Sequence, residues 1–212
     1  MSAHTGRLGW LALCLLLALP AAALPIIDLE HPSLWPPSLQ ALVLHPHQGW
    51  RQSLPSWWAA AWLHGSEPHL WRNLAGVALV AGMGWAARVG PLATLAWLLA
   101  WPLTHIGMLW RPELTSYIGL SGVLHAGAAI VALQQIIRPP TPAARWPGWA
   151  LLLGLITKVV MENPWGPVLI LSSASAIKVA PWAHFSGVLA GLASGGLVLI
   201  GIKHLAPQFK RQ

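Results

Sequence analysis

The fold is decided by the stretch Tyr117-Ile-Gly-Leu-Ser-Gly-Val-Leu-His125, together with His184-Phe-Ser-Gly-Val-Leu-Ala-Gly-Leu-Ala-Ser-Gly195 further along the chain. Each stretch opens an apolar segment and carries a polar group into it. A hydroxyl and an imidazole are both unfavourable in hydrocarbon unless they find partners. We therefore expect Ser121 and His184 to meet, and a serine nucleophile with a histidine base is the first functional hypothesis.

Composition favours a membrane protein. Of the 212 residues, 56% are hydrophobic and only 8% are charged, and the mean hydropathy is +0.59, which is more apolar than a soluble domain of this length needs. Fifteen tryptophans suggest a population at the lipid headgroup boundary. The net charge of +7 is scattered and forms no long basic run with stacking aromatics, so we expect the lipid bilayer, and no nucleic acid, as a partner.

Periodicity predicts one all-α domain over residues 1–212, with six transmembrane helices. The apolar stretches that approach the length needed to cross about 30 Å of hydrocarbon are residues 8–27, 70–87, 92–109, 118–137, 149–161 and 185–202. Residues 28–69 are predicted to form an interfacial outer loop with short helices of its own. Residues 163–181 are rich in Pro, Ser and Ala and are interpreted as a mobile loop or a partly unwound cap.

Charge distribution predicts that both termini are cytoplasmic. The basic residues assigned to the inside outnumber those assigned to the outside, as the positive-inside rule requires. The inside set is Arg7, Arg88, Arg138, Arg145, Lys203, Lys210 and Arg211, the outside set is Arg51, Arg111 and Lys178, and the acidic residues Asp28, Glu30, Glu67, Glu113 and Glu162 all fall outside. The first apolar stretch also resembles a secretory signal peptide, so its retention stays open.

Small residues on the fourth and sixth predicted helices favour a close helix contact. Gly187, Gly191 and Gly195 follow His184 at offsets of three, seven and eleven and share its helical face. Ser121 and His125 begin a matching face of small residues on the fourth helix. Packing these faces together brings the hydroxyl towards the imidazole. The alternative is a plain helix contact in which the polar groups only strengthen the packing.

His69 and Asn73 supply a third element at the start of the second helix. They are four residues apart and so project from one face. Together with the backbone N–H of Ser121 they are candidate donors to the oxygen of a tetrahedral intermediate, although a His/Asn pair at a helix end also serves as a cap. Asp28 belongs to the outer loop and no glutamate falls within a span, so we expect a Ser/His dyad without a carboxylate.

These three elements together resemble the rhomboid family of intramembrane serine proteases. The family pattern is His-x4-His-x3-Asn, Gly-x-Ser-Gly and Ala-His-x2-Gly-x3-Gly on the second, fourth and sixth helices. It matches His64, His69 and Asn73; Gly119-Leu-Ser121-Gly122; and Ala183-His184 with Gly187 and Gly191. The resemblance implies a six-helix rhomboid-like bundle in which Ser121 is the nucleophile, His184 is the base, and His69 and Asn73 are oxyanion donors.

One residue departs from the common pattern. Most rhomboids carry an aromatic residue four positions after the serine, stacked on the catalytic histidine, whereas this chain has His125. That residue is a second polar partner, a substrate contact or a packed neighbour, and Gly119 and Gly122 are further accessory candidates. The short chain and its Gly-Leu-Ser-Gly-Val-Leu-His run resemble the rhombosortase branch.

The resemblance to that branch implies a cellular role. Its members act in the inner membrane of Gram-negative bacteria, with the active site facing the periplasm. Their implied partners are transmembrane segments of exported proteins, whose C-terminal sorting tail has a Gly-rich motif, one hydrophobic helix and basic residues. No cofactor or metal is implied. We further expect a cavity open to the outer face, with a lateral gate near the fifth helix.

Two other functions are compatible with the sequence. The ten histidines, of which His64, His69, His105, His125 and His184 lie near spans, suggest a membrane protein that binds a metal or haem. His105 has no obvious partner in the sequence. The other alternative is a catalytically inactive rhomboid-like scaffold that binds transmembrane helices without cutting them.

Overall fold

The fold is built from helices, as the computed structural model describes it for residues 3–28, 31, 34–139, 141–171 and 177–205. Side chains are described within these ranges from residue 6 to residue 201. The long helices are α1 (Ala3–Ala23), α2 (Glu67–Ala86), α3 (Pro91–Gly107), α4 (Ser121–Ile137), α5 (Arg145–Met161) and α6 (Pro181–Leu205). Lys210, Arg211, Glu30 and the side chain of Lys203, all used in the topology prediction, lie outside the described part.

Shorter elements join the long helices. Helical turns span Pro37–Gln40, Pro46–Arg51, Ser56–Ala59, Ala60–Trp62, Met108–Trp110 and Pro142–Ala144. A small antiparallel hairpin forms between β1 (Ile170–Leu171) and β2 (Lys178–Val179), with Ile170 opposite Val179. The loop over residues 28–69 therefore has short helices of its own, as predicted. Within the 163–181 segment, residues 170–171 and 178–179 pair as short strands.

The prediction of a helical membrane protein is confirmed at the level of fold class. Three stretches are long and apolar enough to cross a membrane: Gly6–Ala23, Pro91–Trp110 and Pro181–Gly201. Each of the six predicted apolar stretches overlaps one long helix, but the helix boundaries differ. α2 begins at Glu67 because Ser66 caps it, accepting the His69 backbone N–H at 3.3 Å.

The tightest helix contact joins α4 and α6. A Cβ atom added at Gly187 would overlap the backbone of Gly122, and one added at Gly191 would lie 2.5 Å from the Ala126 carbonyl oxygen. These positions advance in the same direction along both helices, so α4 and α6 run parallel. Ser121 and His184, each in the first turn of its helix, therefore lie at the same end of the bundle.

Tryptophan is divided between the core and the surface. Trp10 and Trp97 are fully buried with their rings 4.4 Å apart. Their indole N–H groups donate to the carbonyls of Val80 and Val123 at 3.1 and 2.8 Å. Others, such as Trp146, are largely exposed. The predicted interfacial role therefore does not extend to these core residues, whose N–H groups bond the backbone instead.

The loop over residues 28–69 fixes the segment that leads into α4. Leu44 pairs with Tyr117 in an isolated antiparallel bridge, and the Gly119 N–H donates to the Ala60 carbonyl at 2.9 Å. His105, which has no obvious partner in the sequence, lies 2.6 Å from the Trp57 carbonyl through its Nδ1 atom. Backbone bonds thus hold the turn before Ser121 in place.

We expect Gly191→Ala to destabilise the protein by about 1–3 kcal/mol, because the added methyl group meets backbone that cannot move aside. Thermal unfolding of the purified protein in detergent measures the effect. Gly196→Ala on the same helix is the matched control, since nothing lies within 4 Å of the added atom. Equal melting temperatures for the two variants would contradict the close α4–α6 contact.

Candidate functional site

A glycine turn places Ser121 at the first position of α4. Gly119 has a φ of +116°, a backbone conformation that L-residues with side chains rarely adopt, and α4 begins two residues later at Ser121. A Cβ atom at Gly119 would also lie 2.7 Å from His69 Nε2. At the start of a helix the Ser121 backbone N–H has no intrahelical acceptor. It is therefore available as a donor.

His184 shares one large cavity with Ser121. The cavity has a volume of about 1010 Å³, and its wall includes Ser121, His184, His69, Asn73 and His125. His184 itself is 5% exposed. The structure thus brings together the serine, the histidine and the His/Asn pair that the sequence placed on three separate helices.

The Ser121 hydroxyl faces a tyrosine. Burial raises the pKa of Tyr117 to about 12, and a hydrogen bond with the Ser121 side chain acts in the opposite direction. Tyr117 also donates to the Gly119 carbonyl at 3.3 Å. Among the described residues, no hydrogen bond joins Ser121 Oγ to His184. The Ser121 hydroxyl is therefore bonded to Tyr117 and not to His184 in this arrangement.

His64 holds Asn73 in a defined orientation. Asn73 Nδ2 lies 2.9 Å from His64 Nε2, and His64 Nδ1 lies 3.1 Å from the Trp62 carbonyl. Burial and the neighbouring His69 lower the pKa of His64 to about 4, so its ring is neutral and donates through Nδ1. One N–H of the Asn73 amide is thus occupied by His64, and the other remains for a ligand.

His125 lies flat against His184. The two rings are 4.1 Å apart and inclined by 14°, the stacked arrangement expected of an aromatic residue at that position. His125 Nδ1 lies 2.7 Å from the Ser121 carbonyl, and Lys158 Nζ lies 3.0 Å from its Nε2. Because an ammonium group only donates, Nε2 accepts and Nδ1 carries the proton. His125 is therefore a neutral packed neighbour that is also bonded to Ser121.

A carboxylate contacts His184, so the expectation that no acid is positioned beside the dyad is wrong. Glu162, directly after α5, accepts from His184 Nδ1 at 2.6 Å and from Lys158 at 2.7 Å. Burial raises the pKa of Glu162, but its bonds with His184 and Lys158 outweigh that effect and hold the pKa at about 2. The side chain is therefore an anion at neutral pH.

Sequence reasoning missed Glu162 because it lies outside every apolar stretch. The available signal was its spacing of four from Lys158, which on a helix end brings the two charges together. The contact with His184 crosses between helices and has no local signature. The Ser121 contact of Tyr117 was also missed, although Tyr117 is the only tyrosine and lies four residues before the serine.

The predicted packing glycines occupy the α4–α6 contact to different degrees. Gly187 and Gly191 meet backbone of α4, whereas Gly195 faces the side chain of Leu133 at 3.0 Å. Gly122 contributes the facing backbone. The catalytic, oxyanion and accessory roles assigned from the sequence remain predictions at this stage.

The histidines near the spans are engaged with protein groups. Within the described ranges, no group of three or more His, Cys, Asp or Glu side chains is arranged to hold a metal ion. His64 bonds an amide, His105 bonds a carbonyl, and His184 bonds a carboxylate.

A scan against protein-family models and a search of curated proteins gave no match for this chain.

Proposed function

We propose that the protein is an intramembrane serine protease of the rhomboid type, in the rhombosortase branch. The observation that carries the proposal is that the residues of three separate motifs, Ser121, His184 and the pair His69 and Asn73, line one cavity. Ser121 is the nucleophile and His184 is the general base. His69, Asn73 and the Ser121 backbone N–H are the donors to the oxyanion.

Proton transfer and charge stabilisation divide the chemistry between these groups. Ser121 Oγ attacks the scissile carbonyl as its proton passes to His184, and His184 then protonates the leaving amine. The negative oxygen of the intermediate develops near Gly119, where the His69 and Asn73 side chains lie. Fixed donors in a site shielded from bulk water stabilise that charge strongly.

The proposed architecture is a six-helix bundle with both termini in the cytoplasm. Three helices have the length and apolarity to cross a membrane. Support for α2 and α5 as further spans comes from their exposed apolar side chains, among them Leu79, Leu153 and Ile156, which suit contact with lipid. In this proposed topology the protein lies in a bacterial inner membrane, and its cavity opens towards the periplasm.

The proposed substrate is the C-terminal transmembrane sorting tail of an exported protein. The cavity continues from the polar residues along an apolar groove between α2 and α5. It is lined by Val80 and Met83 of α2, Leu151 and Gly154 of α5, and Ala128 of α4. A groove of this composition suits an apolar helix that approaches from the side. We propose that the outer end of α5 gates this approach.

Covalent labelling tests the nucleophile. We expect a fluorophosphonate to label the purified full-length protein at Ser121, because a base-activated serine attacks phosphorus readily. Ser121→Ala should abolish labelling, and His184→Ala should slow it at least about 100-fold. Ser194→Ala is the control, since that buried hydroxyl bonds the carbonyl of Ala190 in its own helix. A folded wild-type protein that takes no label would support the inactive scaffold instead.

Cleavage of a reporter tests the oxyanion donors. The reporter is a soluble protein fused to a Gly-rich motif, one hydrophobic helix and a basic end. We expect Asn73→Ala to lower kcat about 100- to 1000-fold, the loss typical of one oxyanion donor. Gln134→Ala, which alters a buried amide in the inner half of α4, is the control. Normal turnover by the Asn73 variant would remove it from the site.

Filling the groove tests the route of the substrate helix. Gly154 lines the cavity and no atom lies within 4 Å of a Cβ added there, so Gly154→Trp introduces a large ring at an open position of the groove. We expect reporter cleavage to fall at least about tenfold while fluorophosphonate labelling is retained. Gly82→Trp on α2 is the matched control, because Gly82 is equally open but outside the cavity wall. Undiminished cleavage by the Gly154 variant would refute the lateral route.

A further inference from the structure

The His184–Glu162 hydrogen bond fixes which ring nitrogen carries the proton. His184 Nδ1 lies 2.6 Å from Glu162 Oε2, and the two side chains are 7% and 22% exposed. An ionised carboxylate only accepts, so Nδ1 carries hydrogen and Nε2 keeps its lone pair. That tautomer is the one in which His184 can take a proton through Nε2. A carboxylate bonded to the far nitrogen of a base is the third member of a serine–histidine–acid triad.

The carboxylate is itself held at both oxygens. Glu162 Oε1 lies 2.7 Å from Lys158 Nζ, one helical turn earlier, while Oε2 is bonded to His184. Lys158 also donates to His125, whose ring is stacked on His184. Glu162 therefore fixes the His184 ring within its plane, and His125 fixes it from one face.

The turn that carries Glu162 is anchored to the rest of the protein. Asn163, the next residue, has a φ of +52°, which ends α5 sharply. Arg111 then donates to the carbonyls of Pro164 and Gly166 at 2.7 and 2.8 Å. Trp165 packs on Phe185, next to His184, with the rings 5.4 Å apart. These contacts tie the turn after Glu162 to Arg111 and to Phe185 of α6.

We infer that Glu162 is the positioning residue of His184, which makes the reactive group a Ser121–His184–Glu162 triad held by Lys158 and His125. The inference rests on the proposed function. In the first step the Ser121 Oγ–carbon bond forms, the peptide C–N bond breaks, and the serine proton passes through His184 Nε2 to the leaving amine. Water then attacks the acyl group, gives one proton to His184 and releases the acid, and the proton returns to Ser121.

Glu162 stays ionised throughout these steps. Its part is to hold the tautomer and to stabilise the imidazolium that forms twice in each cycle. The groups that face His184 are Glu162 and Lys158 from the end of α5, His125 from α4 and His69 from α2. Among the described residues, Glu162 is the only anion in that set.

The test is the kinetics of fluorophosphonate labelling with the full-length protein in detergent. We expect Glu162→Gln to lower the maximal labelling rate about 100-fold or more, since loss of the triad acid in serine proteases lowers kcat about 10⁴-fold. The probe concentration at half-maximal rate should stay within about threefold, because Glu162 does not touch the probe. If Glu162 had a purely structural role, its replacement would not lower the maximal labelling rate while leaving the half-maximal probe concentration unchanged.

Two further variants keep the outcome decisive. Glu162→Asp retains the charge at a shorter reach and should label at least about tenfold faster than Glu162→Gln. Gln134→Ala, which alters a buried amide in the inner half of α4, should label like wild type. Equal rates for Glu162→Gln, Glu162→Asp and wild type, with Ser121→Ala unlabelled, would overturn the triad and leave the protease intact. A wild-type protein without label would overturn both.

Discussion

The close approach of α4 and α6 is the constraint on which the rest of the structure depends. Gly187 meets the backbone of Gly122, and Gly191 meets that of Ala126, so no side chain separates the two helices at these levels. Because the helices are parallel, this contact brings the first turn of each to the same place. Backbone packing therefore brings Ser121 and His184 to the same end of the bundle without a hydrogen bond between them.

Helix ends supply four of the polar groups of the site. Ser121 and His184 lie in the first turns of α4 and α6, His69 lies in the first turn of α2, and Glu162 follows the last turn of α5. His184 and Glu162 are bonded to each other, and the His125 ring is bonded to the Ser121 carbonyl, which satisfies groups that are unfavourable in an apolar interior. Two neutral imidazoles, His64 and His125, complete this arrangement, each bonding a residue that the proposed chemistry uses directly.

Sequence periodicity predicted the helices and the face on which Ser121 and His184 lie, because apolar length and the spacing of small residues are local signals. It failed where the signal was not local. Glu162 was assigned to the outer loops, and its contact with His184 depends on the turn at Asn163, which no pattern in the chain announces. The burial of Trp10 and Trp97 was missed for a similar reason, since their bonding partners are backbone carbonyls of other helices. The sequence left the role of His125 open, and its stacking on His184 identifies it as a packed neighbour of that ring.

The tie between Glu162 and His184 has a mechanical consequence. The carboxylate stands at the tip of α5, one wall of the apolar groove, while the imidazole belongs to α6. Any outward swing of that tip wide enough to part the two groups also strips the ring of its anion. The groove between α2 and α5 therefore cannot open at this tip while the Glu162–His184 contact is kept. Under the proposed function, a substrate helix that displaced α5 would therefore meet His184 without its carboxylate, and α5 would have to return before cleavage.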